Sequence, residues 1–353
     1  MKKINTNYRK IILFSAIGLT VLFLAFFVKK NNVTENQEKK INNTSKSNIN
    51  IVVAFDNNYV YPAFVSIFSM LKNAEEDTFY KINFLITDEF NDDSKNKISK
   101  LKDTFDNFDI NYINLSKKTQ MFKDIEIFSE RFSKEMFYRL LIPTLLPEES
   151  RCIYLDVDTI ILKDLKKLYD QKIDGFYIGA VPDGIRGEID EKNKNAKEKS
   201  DMEKYLKFLE ISSLNQYINS GVILWNLDEC RKDGIETKFV EFVEKNRHKD
   251  GLLCDQDVLN SICFDKIKSL SLEFNLQTYL PLSKTYEEVE TAKYMATKEE
   301  WDAAKNNPTI IHYALDKPWS KLSVYSSELW WQYAKDSTFW DDIIKKYILK
   351  TAS

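Results

Sequence analysis

Two aspartates in alternate positions, Asp156 and Asp158, follow the apolar run 152–155. Four apolar or aromatic residues in succession predict a strand that is buried on both faces. Because a buried strand cannot hold two unpaired carboxylates, we expect both aspartates where the chain leaves the carboxyl edge of the sheet. Residues i and i+2 of an extended chain point the same way, so the pair can hold one divalent cation beside a pyrophosphate.

The aspartate spacing has little specificity by itself, because Asp255 and Asp257 repeat it in a chain with 54 acidic residues. Two solvated carboxylates at a strand end are the alternative interpretation. The apolar run before Asp156 favours the interpretation of the two aspartates as a cation-binding pair.

The chain contains two histidines. His248 lies in the charged stretch 246–250, which predicts a surface position. His312 lies in the apolar stretch 309–314, where a lone histidine is first interpreted as a buried core residue.

Glycine content, net charge and cysteine spacing exclude several function classes. The 353 residues include 8 glycines and no G-x-G-x-x-G or G-x-x-x-x-G-K-[ST] motif, which excludes ordinary dinucleotide-binding and P-loop enzymes. A net charge of -3 argues against nucleic acid as a partner. The 4 cysteines form no C-x-x-C pair, which argues against a zinc site or a disulfide framework and assigns Cys152 and Cys263 to the core.

The N-terminal segment predicts a membrane anchor. Residues 1–10 are basic and residues 11–28 carry no charge; as a helix the uncharged run is about 27 Å long, close to a bilayer core of roughly 30 Å. Its last residues are bulky rather than small, so an uncleaved single-pass anchor is predicted in place of a signal peptide. The polar residues 29–49 predict a flexible stem. Lysines on both sides of the run leave its orientation open.

From residue 50 onward strands alternate with helices, which predicts an α/β fold with a mostly parallel sheet. The polar stretch 184–204 is interpreted either as a lid over a ligand or as a solvated surface excursion. Strands are predicted at residues 51–55, 81–87, 110–115, 152–155, 176–181, 222–225 and 310–313. Helices are predicted at residues 62–72, 92–105, 136–146, 164–169, 202–210, 237–246, 257–264 and 329–349.

Several short blocks occur in a fixed order along the chain. They are residues 51–59, Phe-Tyr-Arg-Leu at 137–140, Leu-Asp-Val-Asp at 155–158, Tyr-Ile-Asn-Ser-Gly-Val at 217–222, Asp-Gln-Asp-Val-Leu-Asn at 255–260, and a His…Lys-Pro-Trp segment at 312–319. In these blocks the chain resembles the family 8 glycosyltransferases, a retaining galactosyl- and glucosyltransferase group that includes lipopolysaccharide sugar transferases and glycogenins. The resemblance implies a catalytic domain at 50–325 with the Rossmann-like GT-A fold. The helical spacing of aromatic residues at 329–349 predicts a C-terminal helical tail at 326–353.

The resemblance also implies a UDP-sugar donor and a bound divalent metal, usually Mn²⁺, with Mg²⁺ as the alternative. Asp156 and Asp158 would bind the metal. His312 would complete the protein ligands, which replaces its interpretation as a core residue. An imidazole beside two carboxylates suits Mn²⁺ better than Mg²⁺. The acceptor would be a glycan, a glycolipid or a glycoprotein.

Further roles around the donor follow from the same resemblance. Arg139 and Lys317 would neutralise the diphosphate and the sugar. Asp255 and Asn219 would bind sugar hydroxyls, and Gln256 would lie near the reacting carbon. Uridine would be held by residues of the opening block, with an aspartate accepting a base hydrogen bond and a tyrosine stacking: Ala54, Asp56, Asn58 and Tyr59.

The closing block departs from the family pattern. The family usually has His-x-x-Gly-x-x-Lys-Pro-Trp, whereas residues 312–319 lack the glycine and are one residue shorter. This departure puts a glycine contact to the β-phosphate and the reach of Lys317 in doubt, so a non-catalytic UDP-sugar-binding protein of the same fold is the alternative.

A nucleotidyltransferase would normally have a glycine-rich opening loop, which is missing here. The donor sugar and the side of the membrane stay open: the cytosolic face in a bacterium, the Golgi or ER lumen in a eukaryote.

Overall fold

A computed structural model of the chain describes residues 47–122, 134–184, 196–246 and 254–349. The described residues belong to one compact unit that begins at Ser47. The predicted anchor at 11–28, most of the predicted stem, His248 and residues 185–195 of the polar stretch lie outside them. No helix within the described ranges combines the length and the apolar character needed to cross a membrane.

Ten strands occur in the described residues, and seven of them form one sheet in the order β3-β2-β1-β4-β7-β6-β8. β7 runs antiparallel to both of its neighbours, and the other pairs in the sheet are parallel. This arrangement confirms the predicted α/β fold with a mostly parallel mixed sheet. The strands are β1 Ser47–Ala54, β2 Thr78–Ile86, β3 Phe108–Asn114, β4 Arg151–Leu155, β5 Thr159–Ile161, β6 Ile178–Pro182, β7 Ile218–Asn226, β8 Ile267–Ser269, β9 Leu276–Gln277 and β10 Ile310–His312.

β1 starts earlier than its apolar residues indicate. Ser47 pairs with Thr78 in the parallel register with β2, and its N–H donates to the carbonyl oxygen of Asp77 at 2.7 Å. The last three residues of the predicted stem, 47–49, therefore belong to the sheet. The polar side chains of Ser47 and Asn48 concealed this, because the backbone hydrogen bonds of a strand do not depend on apolar side chains.

The helices cover both faces of the sheet. A 3₁₀ helix at Lys134–Leu141 replaces most of the α-helix predicted at 136–146, and only one α-helical turn follows it, with Pro143 near its start. The α-helices are α1 Val60–Lys72, α2 Asp92–Ser99, α3 Ile142–Leu145, α4 Lys166–Tyr169, α5 Ala196–Leu209, α6 Leu227–Lys232, α7 Ile235–Asn246, α8 Asp255–Cys263, α9 Ala292–Met295, α10 Lys298–Asn306, α11 Ser327–Asp336 and α12 Trp340–Tyr347.

β4 lies in the middle of the sheet and contributes to two core layers. Ile153 and Leu155 pack in the layer on one face, whereas Cys152 and Tyr154 pack in the layer on the other. All four side chains are buried, as the unbroken apolar run predicts. The polar residues that follow β4 consequently emerge at the edge of the sheet, between the two layers.

A second, three-stranded sheet in the order β5-β10-β9 lies beside this edge. β10 pairs antiparallel with β5, which places His312 opposite Thr159. The N–H of Tyr313 donates to the carbonyl oxygen of Asp158 at 2.9 Å. The short sheet therefore brings a histidine next to an aspartate that is far away in sequence.

The C-terminal helices pack against α1. The ring of Phe339 lies 4.9 Å from that of Phe64, and the Asn73 amide donates to the Tyr333 hydroxyl at 2.7 Å. The Trp330 indole is fully buried between α11 and the main core.

Candidate active site

Three potential metal ligands meet at the carboxyl edge of β4. One ligand atom each of Asp156, Asp158 and His312 lies within 4.8 Å of the others. The N–H of Asp156 donates to the carbonyl oxygen of Gly221 at 2.7 Å, which fixes the turn after β4 against β7. The structure thus brings together the three residues for which a metal-binding role was predicted.

The imidazole of His312 is directed at both carboxylates. Its Nε2 atom lies 3.3 Å from Asp158 Oδ1 and 3.9 Å from Asp156 Oδ2. Its Nδ1 atom lies 2.9 Å from the side-chain oxygen of Asn275, whose NH₂ group donates to Asn219 Oδ1 at 2.9 Å. Because the Asn275 oxygen can only accept, the proton of a neutral imidazole is on Nδ1 and the lone pair of Nε2 faces the carboxylates.

This site fits a divalent cation. Asp158 Oδ1 is buried and has no hydrogen-bond partner within the described ranges. Two lone-pair-bearing atoms 3.3 Å apart, such as His312 Nε2 and Asp158 Oδ1, repel each other unless a cation lies close to both. Two carboxylates and an imidazole form a donor set that suits Mn²⁺.

A glycine is required beside the cluster. A Cβ atom on Gly221 would lie 2.1 Å from His312 Cε1 and 2.9 Å from Asp156 Oδ2. Any side chain at this position of β7 would therefore displace the predicted ligands.

Asn275 is a site residue that the sequence did not reveal. It is fully buried and follows a 3₁₀ turn in a segment without helical or strand periodicity. The hydrogen bonds of its amide link His312 to Asn219, a residue predicted to bind sugar. Its position indicates that Asn275 orients the imidazole.

Replacing Asn275 with leucine should weaken Mn²⁺ binding by about 10- to 100-fold, because the imidazole loses the acceptor that fixes its tautomer. Titration of free Mn²⁺ by electron paramagnetic resonance measures this without substrate. Asn83→Leu, which removes another buried amide from β2, is the control and should retain the wild-type affinity. Equal affinities in wild type and Asn275→Leu would remove Asn275 from the site.

Arg139 connects the two aspartate pairs recognised in the sequence. Its guanidinium lies 2.8 Å from Asp156 Oδ1 and 3.0 Å from Asp255 Oδ2, donates to the Ser220 carbonyl oxygen at 2.5 Å and stacks 4.3 Å from the Tyr154 ring centre. Burial lowers the pKa of Arg139, but the two carboxylates outweigh it and raise the pKa above its usual range. The side chain is only 4% exposed, so its first role is to neutralise carboxylates.

The shortened closing block still delivers its lysine to the site. Lys317 Nζ forms an ion pair with Asp158 Oδ2 and donates to the Tyr313 carbonyl oxygen at 2.7 Å. Burial raises the pKa of Asp158, but the charges of Lys317 and of His312, when the imidazole is protonated, lower it by more, so the net pKa lies below its usual range. The closing block lacks the family's glycine and is one residue shorter, but Lys317 still reaches the predicted metal ligands.

The predicted sugar-binding residues form a hydrogen-bonded group around a carboxylate that the sequence did not single out. Asp183 follows β6 and is buried; its Oδ2 accepts from Gln256 Nε2 at 3.1 Å and Asn219 Nδ2 at 3.3 Å. Gln256 Oε1 accepts from the Ser220 N–H at 3.0 Å. Both ends of the Gln256 amide are thereby fixed. Burial raises the pKa of the neighbouring Asp255 despite Arg139.

The predicted uridine residues follow β1 in a tight turn. Asp56 Oδ1 accepts from the backbone N–H groups of Asn58 at 2.9 Å and Tyr59 at 3.2 Å, which caps the 3₁₀ turn Asn57–Tyr59. Burial and the charges of Asp158, Asp56 and Asp156 raise the pKa of Tyr59 to about 12. Because β1 and β4 are parallel neighbours, the turn after β1 lies beside the carboxylates that follow β4, and Ala54 ends β1 next to that turn.

Comparison with known proteins identifies related chains. A family model described as glycosyl transferase family 8 matches residues 50–323. General stress protein A of Bacillus subtilis is 28% identical over 276 residues, which are 77% of this chain and 87% of that protein. Lipopolysaccharide 1,2-glucosyltransferase of Escherichia coli is 26% identical over 308 residues, 85% of this chain and 81% of that protein. Glycosyltransferase GlyB of Streptococcus pneumoniae is 26% identical over 238 residues, but this chain spans only 49% of its length.

Solved structures share the fold. The galactosyltransferase LgtC, determined with donor and acceptor sugar analogs, matches with a TM-score of 0.64 and 21% identity over 82% of this chain and 96% of that one. The bifunctional glycosyltransferase WbbM matches with a TM-score of 0.70 and 21% identity over 87% of this chain and 53% of that one. The sheet with its antiparallel β7 is therefore a GT-A fold.

Proposed function

The chain belongs to glycosyltransferase family 8, and we propose that this enzyme transfers a hexose, galactose or glucose, from a UDP-sugar to a glycan, glycolipid or glycoprotein acceptor with retention of configuration. The observation that supports this most is the Asp156, Asp158 and His312 cluster beside the turn that holds Tyr59. A metal-ligand set next to an aromatic nucleotide turn suits a nucleoside diphosphate.

We infer that Asp156, Asp158 and His312 hold the divalent ion, Mn²⁺ with Mg²⁺ as the alternative. When bound, the ion supplies positive charge that stabilises the leaving diphosphate. Lys317, which lies on Asp158 in this structure, is the cation best placed to move onto a phosphate oxygen. Arg139 forms ion pairs with Asp156 and Asp255 and so holds both carboxylates in place. We also propose that Arg139 contacts the donor directly.

Retention at the reacting carbon requires either a carboxylate nucleophile or attack on the same face as the leaving group. Asp255 is paired with Arg139, and Asp183 accepts hydrogen bonds from Gln256 and Asn219. These contacts favour positioning roles for both carboxylates. We therefore infer same-face attack: the bond from the sugar carbon to the phosphate oxygen breaks, the bond to the acceptor oxygen forms, and the acceptor proton passes to the leaving phosphate.

Gln256→Ala should lower kcat by about 10- to 100-fold and change UDP affinity by less than about 3-fold, because the role proposed for the fixed amide is at the sugar and not at the nucleotide. Steady-state kinetics and UDP calorimetry measure the two effects separately. Gln171→Ala, near the start of β4 at the opposite edge of the sheet, serves as the control. Equal losses of kcat and UDP affinity would assign Gln256 to nucleotide binding instead.

We further propose that residues 11–28 anchor the enzyme in a membrane by a single pass, close to a glycolipid acceptor. In a bacterium the catalytic unit would face the cytosol, where UDP-sugars are made, and in a eukaryote it would face the Golgi or ER lumen. Nucleic acid is not proposed as a partner, since the net charge is -3.

Donor hydrolysis tests the proposed function. Full-length protein is incubated with Mn²⁺ and, in turn, UDP-glucose, UDP-galactose, UDP-xylose and the N-acetyl sugars, and UDP release is followed with and without EDTA. EDTA-sensitive release from UDP-glucose or UDP-galactose is expected. A preference for an N-acetyl sugar would overturn the hexose assignment, and release that is unaffected by EDTA would overturn the metal site.

A further inference from the structure

The C-terminal helix α12 contacts the predicted nucleotide turn. The Lys346 ammonium donates to the Asn58 carbonyl oxygen at 2.9 Å. The Tyr347 ring lies 6.2 Å from that of Trp319, which in turn lies 6.1 Å edge-on from the Tyr59 ring. One polar contact and one chain of aromatic rings therefore connect α12 with the turn after β1.

Lys346 is held in place by aromatic rings. Its ammonium lies 5.3 Å from the ring centre of Tyr61 and 5.2 Å from that of Tyr347. Burial and the groups Tyr59, Tyr61 and Asp56 raise the pKa of Tyr347.

The turn is fixed on its other side by α2. The Asn57 side chain donates to the Glu89 carbonyl oxygen at 2.8 Å and accepts from the Asn91 N–H at 3.1 Å and the Ser94 hydroxyl at 2.8 Å. Asn57 is thus fixed by α2 and Asn58 by α12. Because the Asn58 carbonyl belongs to the peptide group that leads into Tyr59, fixing it limits the directions in which the Tyr59 ring can point.

We propose that α12 is a positioning element of the nucleotide site, in which Lys346 orders the turn at Asn58 and so prepares Tyr59 for a uridine base. The inference rests on the proposed function, because it needs a uridine nucleotide at this turn. α12 lies beyond residue 323, where the family match ends. A turn that is ordered before binding increases affinity, since less conformational entropy is lost when the ligand binds.

Three full-length variants test the role of Lys346. Lys346→Met keeps the apolar stem and removes the donor, and Lys346→Arg keeps a donor. Lys345→Met removes an equal charge from the exposed neighbouring position on the same helix. UDP affinity is measured by calorimetry, Mn²⁺ affinity by electron paramagnetic resonance, and kcat and donor KM by steady-state kinetics.

Lys346→Met should bind UDP about 3- to 10-fold more weakly and raise the donor KM by the same factor. Its Mn²⁺ affinity and its kcat at saturating donor should stay at wild-type values, as should all constants of Lys345→Met. Lys346→Arg should restore most of the UDP affinity. A merely structural role of Lys346 would lower Mn²⁺ affinity and kcat together with UDP affinity.

Unchanged UDP affinity in Lys346→Met would overturn the inference and leave the proposed function intact. An equal loss in Lys345→Met would also overturn it, because the effect would then come from net charge. Failure of the wild-type protein to bind UDP would overturn the proposed function and this inference together.

Discussion

Asp158→Ala should reduce UDP-sugar turnover by at least about 1,000-fold. One oxygen of Asp158 faces His312 Nε2 at 3.3 Å, and the other is paired with Lys317. Alanine therefore removes a predicted metal ligand and releases the lysine in one change. Loss of metal-based charge stabilisation is worth several kcal/mol, and each 1.36 kcal/mol is a tenfold change in rate.

Donor hydrolysis in saturating Mn²⁺, together with a Mn²⁺ titration, measures this effect. Asp109→Ala removes an exposed carboxylate from β3 and should leave both turnover and Mn²⁺ binding unchanged. Near-normal transfer by Asp158→Ala in Mn²⁺ would contradict the assignment of Asp158 as a metal ligand.

The same aspartate contributes to stability in a pH-dependent way. Burial raises the pKa of Asp158 in the folded protein, but Lys317 and protonated His312 lower it by more, to a value below its usual range. Its contribution is therefore present above the unfolded pKa of about 4 and is lost as the pH falls through the folded value. Urea unfolding of wild type and Asp158→Asn should show a difference in stability at pH 7 that shrinks below about pH 4.

Arg139→Met should lower Tm by about 6 to 20 °C and abolish measurable transfer. The guanidinium is 4% exposed and neutralises both Asp156 and Asp255. Its removal leaves two carboxylates without their partner, and breaking a buried ion pair costs about 3 to 5 kcal/mol, each worth about 2 to 4 °C in a domain of this size. Arg139→Lys should recover only part of this loss, because one ammonium cannot replace the two-pronged guanidinium.

A second arginine, the half-buried Arg231, separates the effect on the site from a general loss of stability. Arg231 donates to the carbonyl oxygens of Leu146 at 3.1 Å and Glu149 at 2.9 Å. Arg231→Met should also lower Tm but leave Mn²⁺ affinity unchanged in the folded protein. If Arg231→Met and Arg139→Met lose Mn²⁺ binding to the same extent, the ion pairs of Arg139 have no specific role in the site.

The sheet and the carboxylate edge were predictable because their signals are local. The apolar run 152–155 identified β4. The change from apolar residues to carboxylates at Asp156 showed where the chain leaves the carboxyl edge of the sheet. The conformation of the Arg139 segment was less predictable, because a 3₁₀ helix and an α-helix place apolar residues at similar spacings. The roles of the nucleotide and sugar residues remain predictions that the proposed variants test.

Asn275 and Asp183 could not be predicted, because they are defined by contacts rather than by a pattern. β9 has two residues and β8 has three, too few to show periodicity. Asn275 contacts Asn219 from 56 positions away, and Asp183 contacts Gln256 from 73. His312 was ambiguous for the same reason, since its pairing with Thr159 depends on a register that short strands do not encode.

The hydrogen bond between Lys346 and Asn58 has a consequence for protein synthesis, because its two residues are 288 positions apart. At about 5 to 20 residues per second, a ribosome needs roughly 15 to 60 s to pass from one to the other. All seven strands of the main sheet precede residue 270 and can pair during this interval. The strands of the main sheet should therefore pair in the nascent enzyme well before its nucleotide turn is fixed, and the contact between Lys346 and Asn58 is among the last that the chain can form.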